Sequence, residues 1–323
     1  MTLLFMTFSS IFAQQKLIKP PYLQKGDTIA VVAPAGILKN KQEIILKAKK
    51  LAESWGLKVV LGRHLFNQNN HFSGTDEERC QDFQVALDNK NIKAIWSARG
   101  GYGSVRILDL LDFTEFKKNP KWVIGYSDIT AFHNHIHNLG VETIHGMMGT
   151  SLGDDLKDIK ETVTSFKKAL FGEAMRYTIS ASKYNRVAFL KEIEGQIIGG
   201  NLSILASMLG SDSQLNTSGK ILFIEEIGEY KYSMDRMLQS LKRAGYFTKA
   251  TAVVVGNMSR VKKNSTAWGS SIEQLILDVV PKNIPVLFDF PAGHELDNRT
   301  LIFGRNVRLI VGNEEYSLVF KEI

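Results

Sequence analysis

A serine at a strand-to-helix junction is the first residue whose placement suggests chemistry. In GYSDIT (125–130) an apolar run ends on Gly125, and Ser127 stands at the turn before a helical stretch. Such a turn exposes the hydroxyl, and the following helix N-terminus presents backbone N–H groups to a developing oxyanion. The usual elbow has a second glycine where this chain carries Ile129, so the same string also reads as a plain helix N-cap. GGYG (100–103), preceded by Arg99, closes another apolar run. Its glycines allow close backbone approach to a ligand, and without a following Gly-Lys-Ser/Thr it is not a phosphate-binding P-loop. The segment reads either as a tight turn or as a second wall of oxyanion donors. Arg99 and Tyr102 are its candidate substrate contacts, Arg99 offering a bidentate fork to a carboxylate.

FIEEIGE (223–229) ends an apolar strand on the neighbours Glu225 and Glu226. Strand neighbours point to opposite faces, so one at most faces a given site, and acids at strand ends are ordinarily solvated. PAGHELDN (291–298) puts His294 in a loop just after a strand. A lone loop histidine is ordinarily a surface residue. Serine, acid and histidine nevertheless all follow C-terminal ends of apolar strands, where α/β sheets collect ligand sites. Their order, Ser then Glu then His, is one in which catalytic triads occur. His133, His135 and His137 invite a metal reading, but only His133 and His137 share a helix face and no HExxH pattern accompanies them. No metal site is expected. His145, after a short predicted strand, is a candidate cleft residue.

The elements that must position these residues alternate. DTIAVVAPA (27–35), LKVVLG (57–62), IKAIWSA (92–98) and KWVIGYS (121–127) read as buried strands. Helices between them are marked by the apolar face Ile44, Ala48, Leu51, Ala52 and Trp55 and by a Thr75–Glu78 capping box. A further helix is predicted from Ser104 to Leu111. This is the pattern of a parallel sheet with helices on both sides. From 156 to 193 the chain turns polar and Lys-rich, with one predicted helix from Lys160 to Leu170, and reads as a connection between a 24–155 domain and a 194–323 domain. In the second block 195–201 leads into a helix through Leu209; 220–226, 251–257 and 285–291 read as strands, and 233–245 and 272–280 as helices. The Met234, Met237, Leu238, Leu241 stripe is read as core packing. Residues 301–320 are predicted as two strands around Gly312-Asn313.

Composition sets the outer limits. The 323 residues are 44% hydrophobic and 23% charged, values of an ordinary globular chain of about two domains. The single cysteine, Cys80, excludes an internal disulfide and a zinc ribbon. The net charge of +7 is spread along the chain rather than gathered in a stripe, which points away from nucleic acid and toward small anionic ligands. Residues 1–15 carry no charged side chain, and the apolar stretch Leu3–Ala13 is too short for a membrane span, which takes ~20 residues. It suits a signal-peptide core with cleavage before Gln14. The expected location is therefore periplasmic or otherwise exported, with a cytoplasmic protein as the alternative.

Several of these strings resemble one family in order: GDTIAVVAPAG, SARGGYGS, KWVIGYSDIT, IHGMM, GGNLSILASMLGS, ILFIEEIGEYKYSMDRML and PVLFDFPAGHELDN. They resemble the LD-carboxypeptidase serine peptidases, which include muramoyltetrapeptide carboxypeptidases and microcin-immunity relatives. The resemblance implies a flavodoxin-like N-terminal α/β domain and a smaller mixed α/β C-terminal domain, with the active site between them. It also implies Ser127 as nucleophile, His294 as general base, Glu225 as the acid orienting it, and the backbone of Gly101 and Asp128 as oxyanion donors. Met147 stands where the family commonly has proline after its His-Gly pair. The implied substrate is a murein peptide, cleaved without metal or other cofactor; a homodimer is left open. Two other readings stand beside it: hydrolysis of a peptidyl-nucleotide, and a non-enzymatic solute-binding protein in which Ser127 and Arg99 merely hold ligand.

Overall fold

A computed structural model describes residues 17–187 and 192–321. The candidate export segment lies outside the described residues. The first half contains β1 (Thr28–Val32), α1 (Gln42–Ser54), β2 (Lys58–Leu61), α2 (Asp76–Asp88), β3 (Ile92–Ser97), α3 (Ser104–Leu108) and α4 (Thr114–Lys118). It continues with β4 (Trp122–Gly125), α5 (Thr130–Asn138), β5 (Thr143–His145), α6 (Lys160–Phe171) and β6 (Arg176–Ser180). The second half contains β7 (Glu192–Asn201), α7 (Leu202–Ser207), β8 (Ile221–Ile227), α8 (Lys231–Arg243), α9 (Tyr246–Lys249) and β9 (Ala252–Ser259). It ends with α10 (Ile272–Val279), β10 (Val286–Leu287), β11 (Leu301–Phe303), β12 (Asn306–Val311) and β13 (Glu315–Phe320).

The first sheet runs β11-β5-β4-β3-β1-β2, parallel except for β11. Its strands read as unbroken apolar runs because helices cover both faces. Ile29 and Val31 pack with Ile45 and Ala48 of α1 and Phe166 and Ala169 of α6. Ala30 and Val32, one residue out of phase, pack with Phe83 and Ala86 of α2 and Phe132 and Ile136 of α5. The Thr75 capping box forms as expected, with bonds of 2.9 and 3.2 Å to and from Glu78.

The second sheet, β10-β9-β8-β7-β12-β13-β6, is parallel from β10 to β7 and antiparallel beyond. Helices α7, α8 and α10 cover one face; Met234, Leu238 and Leu241 are buried there, so the methionine stripe is core. The other face, through Ile197, Phe223, Val254 and Leu309, shares one apolar cluster with Ile144 and Phe303 of the first sheet. The two sheets are thus packed on each other, with the catalytic candidates at their junction.

Four expectations change. The 156–193 stretch is more than a connection: α6 completes the first sheet's core, and β6 pairs with β13 as an edge of the second sheet. Residues 301–320 form three strands, because β11 crosses over and pairs antiparallel with β5 before the β12–β13 hairpin closes at Gly312. The strand expected over 285–291 shrinks to two residues, and the helix from Ser104 ends at Leu108. After β11, Arg305 clamps Glu142 with bonds of 2.8 and 2.5 Å while donating to the Tyr22 hydroxyl at 2.9 Å. Both charges are buried, and such a bidentate pair is a geometric lock more than a source of net stability.

Candidate active site

Ser127 sits in the left-handed region with φ 63°, a conformation that costs a residue with a Cβ on the order of 1 kcal/mol and recurs at functional sites. Gly125 before it has φ 157°, and a Cβ there would fall 2.7 Å from Ile129 Cγ1. The isoleucine that replaces the usual second glycine therefore fills the space that the first glycine leaves. The turn then enters α5 through a short 3₁₀ segment, Ser127–Ile129. Across from it, a Cβ on Gly100 would lie 3.2 Å from the Ser127 Cβ, so glycine is what lets this loop reach the serine.

The loop is pinned from two sides. Gly36 N–H donates to the Gly100 carbonyl at 3.0 Å; in a trans peptide the Gly101 N–H must then point the opposite way. Ser104 N–H donates to Asp128 Oδ2 at 2.8 Å, tying the start of α3 to the serine turn. Burial pushes the Asp128 carboxyl up, against the lowering effect of the Ser104 hydrogen bonds.

His294 comes from the loop after β10. Its Nδ1 lies 2.7 Å from Glu225 Oε2, and Gly293 makes that approach available, since a Cβ there would meet the same oxygen at 3.0 Å. Glu225 is 0% exposed, and His294 is its one side-chain partner among the described residues. Burial alone would pull the imidazole down; the charge and hydrogen bond of Glu225 outweigh it and leave His294 raised above its ordinary value. The β8–β9 register shifts between Ile224 and Glu226, an irregularity of the kind that re-aims strand side chains beside sites. Glu226 faces the other way but is not solvated as expected. It is buried and accepts from Asn201 Nδ2 at 3.1 Å, from Ser203 N and Oγ at 2.7 and 2.6 Å, and from Ile227 N at 2.7 Å.

The glycines of β7 bring the halves together. A Cβ on Gly200 would lie 2.4 Å from Thr130 Oγ1 of α5, and the same hydroxyl accepts from Asn201 N–H at 3.0 Å. Asn201 is in turn the register partner of Glu225. Through these two contacts the helix that follows Ser127 is seated on the strand beside the one that carries the acid.

Ser127, His294, Arg99, Gly100 and Gly101 all line one cleft of about 540 Å³. Four other candidates do not line it: Glu225 and Asp128 are buried behind it, and His145 and Tyr102 lie elsewhere. His145 is fully buried, its ring 5.2 Å from those of Phe223 and Phe303, and burial drives its basicity far down. A short apolar strand facing a second sheet explains this. Tyr102 is 47% exposed on the outer flank, 5.9 Å from the Phe72 ring. His133 donates to the Gly125 carbonyl at 2.9 Å and His135 bonds Ser213 Oγ at 2.9 Å. Burial drops His133 to about 4 and His137 to about 3. Among the described residues no group of three His, Cys, Asp or Glu could hold a metal, and no helix is long and apolar enough to cross a membrane.

Sequence reasoning missed other cleft residues. Tyr126 sets its ring 5.0 Å from that of His294, edge to face, and burial pushes its phenol up to about 12. Its position beside the serine was the available signal. Arg260, Glu295 and Asp154 also line the cleft; Arg260 follows the end of β9, where the strand-end rule applied to the other candidates would have found it.

The whole chain has close counterparts among solved structures. A muramoyltetrapeptide carboxypeptidase from Oxalobacter formigenes superposes with a TM-score of 0.81 at 29% identity, covering 91% of this chain and 99% of that one. The microcin C7 self-immunity protein MccF superposes with a TM-score of 0.81 at 26% identity, covering 95% and 98%. This is the class of serine-type carboxypeptidase hydrolases. The chain belongs to the LD-carboxypeptidase family, whose N-terminal domain matches residues 29–146 and whose C-terminal domain matches 194–309. A curated relative, the probable murein peptide carboxypeptidase of Bacillus subtilis (strain 168), is 38% identical over 280 residues, 85% of this chain and 86% of its own length.

Proposed function

We propose that the enzyme removes the terminal D-alanine from murein tetrapeptides through an acyl-enzyme. The observation that carries the reading is a buried Glu225–His294 pair opening onto the same cleft as a serine on a left-handed turn. A serine hydroxyl at its free pKa is a weak nucleophile and needs an adjacent base. His294 takes the Ser127 proton as the hydroxyl attacks the scissile carbonyl, and Glu225 holds the imidazole with Nδ1–H toward itself. The oxyanion is met by the N–H groups of Gly101 and Asp128, each worth ~2.7–4 kcal/mol in sites of this kind. His294 then gives the proton to the departing amine, and water repeats the sequence on the acyl-enzyme. Arg99 stands beside the Gly100–Gly101 wall, on the scissile-carbonyl side of the cleft.

Purified tetrapeptide should become tripeptide plus free alanine, read by mass spectrometry. A pentapeptide ending in D-Ala-D-Ala, with D centres on both sides of its last bond, should be spared. Cleavage of the pentapeptide with the tetrapeptide untouched would make this a DD-enzyme. The likeness to MccF supports a second substrate reading, a peptidyl-nucleotide, and faster turnover of such a substrate in the same assay would replace the first. The proposed location is the cell envelope, resting on the apolar Leu3–Ala13 segment. Envelope protein should then begin at Gln14, and an intact Met1 on cytoplasmic protein would overturn that placement.

A further inference from the structure

We propose that Arg260, and not Arg99, receives the free C-terminal carboxylate of the peptide and so makes this cleft an exopeptidase site. The inference rests on reading Ser127 as nucleophile and His294 as base. In that reading the departing nitrogen must reach His294 to be protonated. The terminal carboxylate is attached to the Cα that bears this nitrogen, so its carbon lies only about 2.5 Å away by covalent geometry. The carboxylate must therefore be met from the wall that carries His294.

Arg260 is on that wall. It follows β9, the strand beside the one that carries Glu225, and it lines the cleft together with His294 and Glu295. Ser259, its chain neighbour, donates its hydroxyl to the carboxylate of Glu295, the neighbour of His294. The Ser259 carbonyl also accepts from Gly228 N–H at 2.9 Å. The position of Arg260 is thus tied to the catalytic loop at one end and to the turn after β8 at the other. Its backbone is left-handed, with φ 50°, a strain that persists only where surroundings impose it and that recurs at ligand clamps. Among the described residues its guanidinium makes no hydrogen bond and no ion pair, yet its charge is felt at His294, where it opposes proton uptake. A bound carboxylate would satisfy the guanidinium and relieve that opposition at the moment a base is needed.

Arg99 fits the role less well. It follows β3 in the opposite sheet, next to the glycines that flank Ser127, and its guanidinium already donates to the Ile37 carbonyl. The remaining cation of the cleft, Lys41, stands at the start of α1 on that same N-terminal side.

The test compares a murein tetrapeptide bearing a free D-alanine carboxylate with the same peptide as its C-terminal carboxamide. The wild type should prefer the acid on the order of 10²-fold in kcat/KM, the worth of a charge-assisted contact. Arg260→Gln should reduce that preference to a few-fold, chiefly by raising KM for the acid. Arg260→Lys, a point charge without the fork, should restore part of it. Arg99→Gln and Lys41→Gln should each keep the wild-type preference. A merely structural role would depress both substrates equally and leave the ratio alone. An unchanged ratio in Arg260→Gln, or its collapse in Arg99→Gln or Lys41→Gln, overturns the assignment while leaving the catalytic reading intact. A wild type that cleaves neither peptide and is not acylated at Ser127 by a fluorophosphonate overturns the catalytic reading and this one with it.

Discussion

Alanine at Ser127 or at His294 is expected to lower kcat on the tetrapeptide by ~10⁴–10⁶-fold, and alanine at both to cost little more. In the proposed mechanism the two residues serve one step: without the imidazole the hydroxyl would keep its proton, and without the hydroxyl the imidazole would have no proton to take. What survives in each case is catalysis from positioning and from backbone donors around the oxyanion, which neither substitution touches. Turnover would be followed by free alanine released under single and double substitution. If the two losses multiply instead, the residues act in separate steps, and the shared-step reading fails. Ser127 carries a further constraint, its left-handed backbone, which lies between Gly125 and the Ile129 side chain packed against it. The alanine variant retains a Cβ and should hold the same turn.

The adjacent acids should separate cleanly. Glu225→Ala is expected to lower the plateau kcat by ~10³–10⁴-fold, as loss of the orienting acid does in such triads. It should also move the acidic limb of the pH profile. A general base works deprotonated, so activity rises as pH passes upward through the His294 pKa. Burial lowers that pKa, and Glu225 raises it by charge and hydrogen bond to a net elevation. Removing Glu225 leaves burial in control, so the limb should shift to lower pH. A limb that stays in place or moves upward would show that Glu225 does not set the basicity of His294. Glu226→Ala should instead strike the fold. Its carboxylate accepts four hydrogen bonds in the interior, and orphaning those donors should cost about 2–3 kcal/mol in urea unfolding. The folded fraction should keep most of its kcat. A large kcat loss with stability intact would exchange the roles of the two acids.

The alternation of strands and helices was legible because a parallel sheet covered on both faces needs unbroken apolar strands, and β1, β3 and β4 are such runs. The candidate site was legible in part for the same reason: Ser127 comes just after β4, Glu225 lies near the end of β8, and His294 is in the loop after β10, although that strand stops at Leu287, short of its apolar run. What escaped was set by partners distant in the chain. Nothing local to Leu301–Phe303 says that these residues leave the second block to pair with Thr143–His145. Glu226 reads as a solvated acid until Ser203 and Asn201 arrive from another strand end. His145 reads as a cleft residue until Phe223 and Phe303 close over it. Arg260 has no motif around it; its place after the end of β9 was the available sequence signal, and its place in the cleft with His294 emerges only in three dimensions.

The crossing of β11 also bears on how the chain comes to be made. Strand β5 is adjacent to the serine strand, and its outer edge is closed by residues 301–303. On a ribosome adding roughly 5–20 residues per second, that edge stays unpaired for on the order of ten seconds after β5 has emerged. Over that interval the nascent N-terminal half displays open backbone donors and acceptors, the feature through which strands recruit neighbours from other chains. A fragment ending before residue 301 would carry that exposure permanently. Separately expressed halves should therefore tend to aggregate, whereas the whole chain closes its own seam late, when its last strands are released.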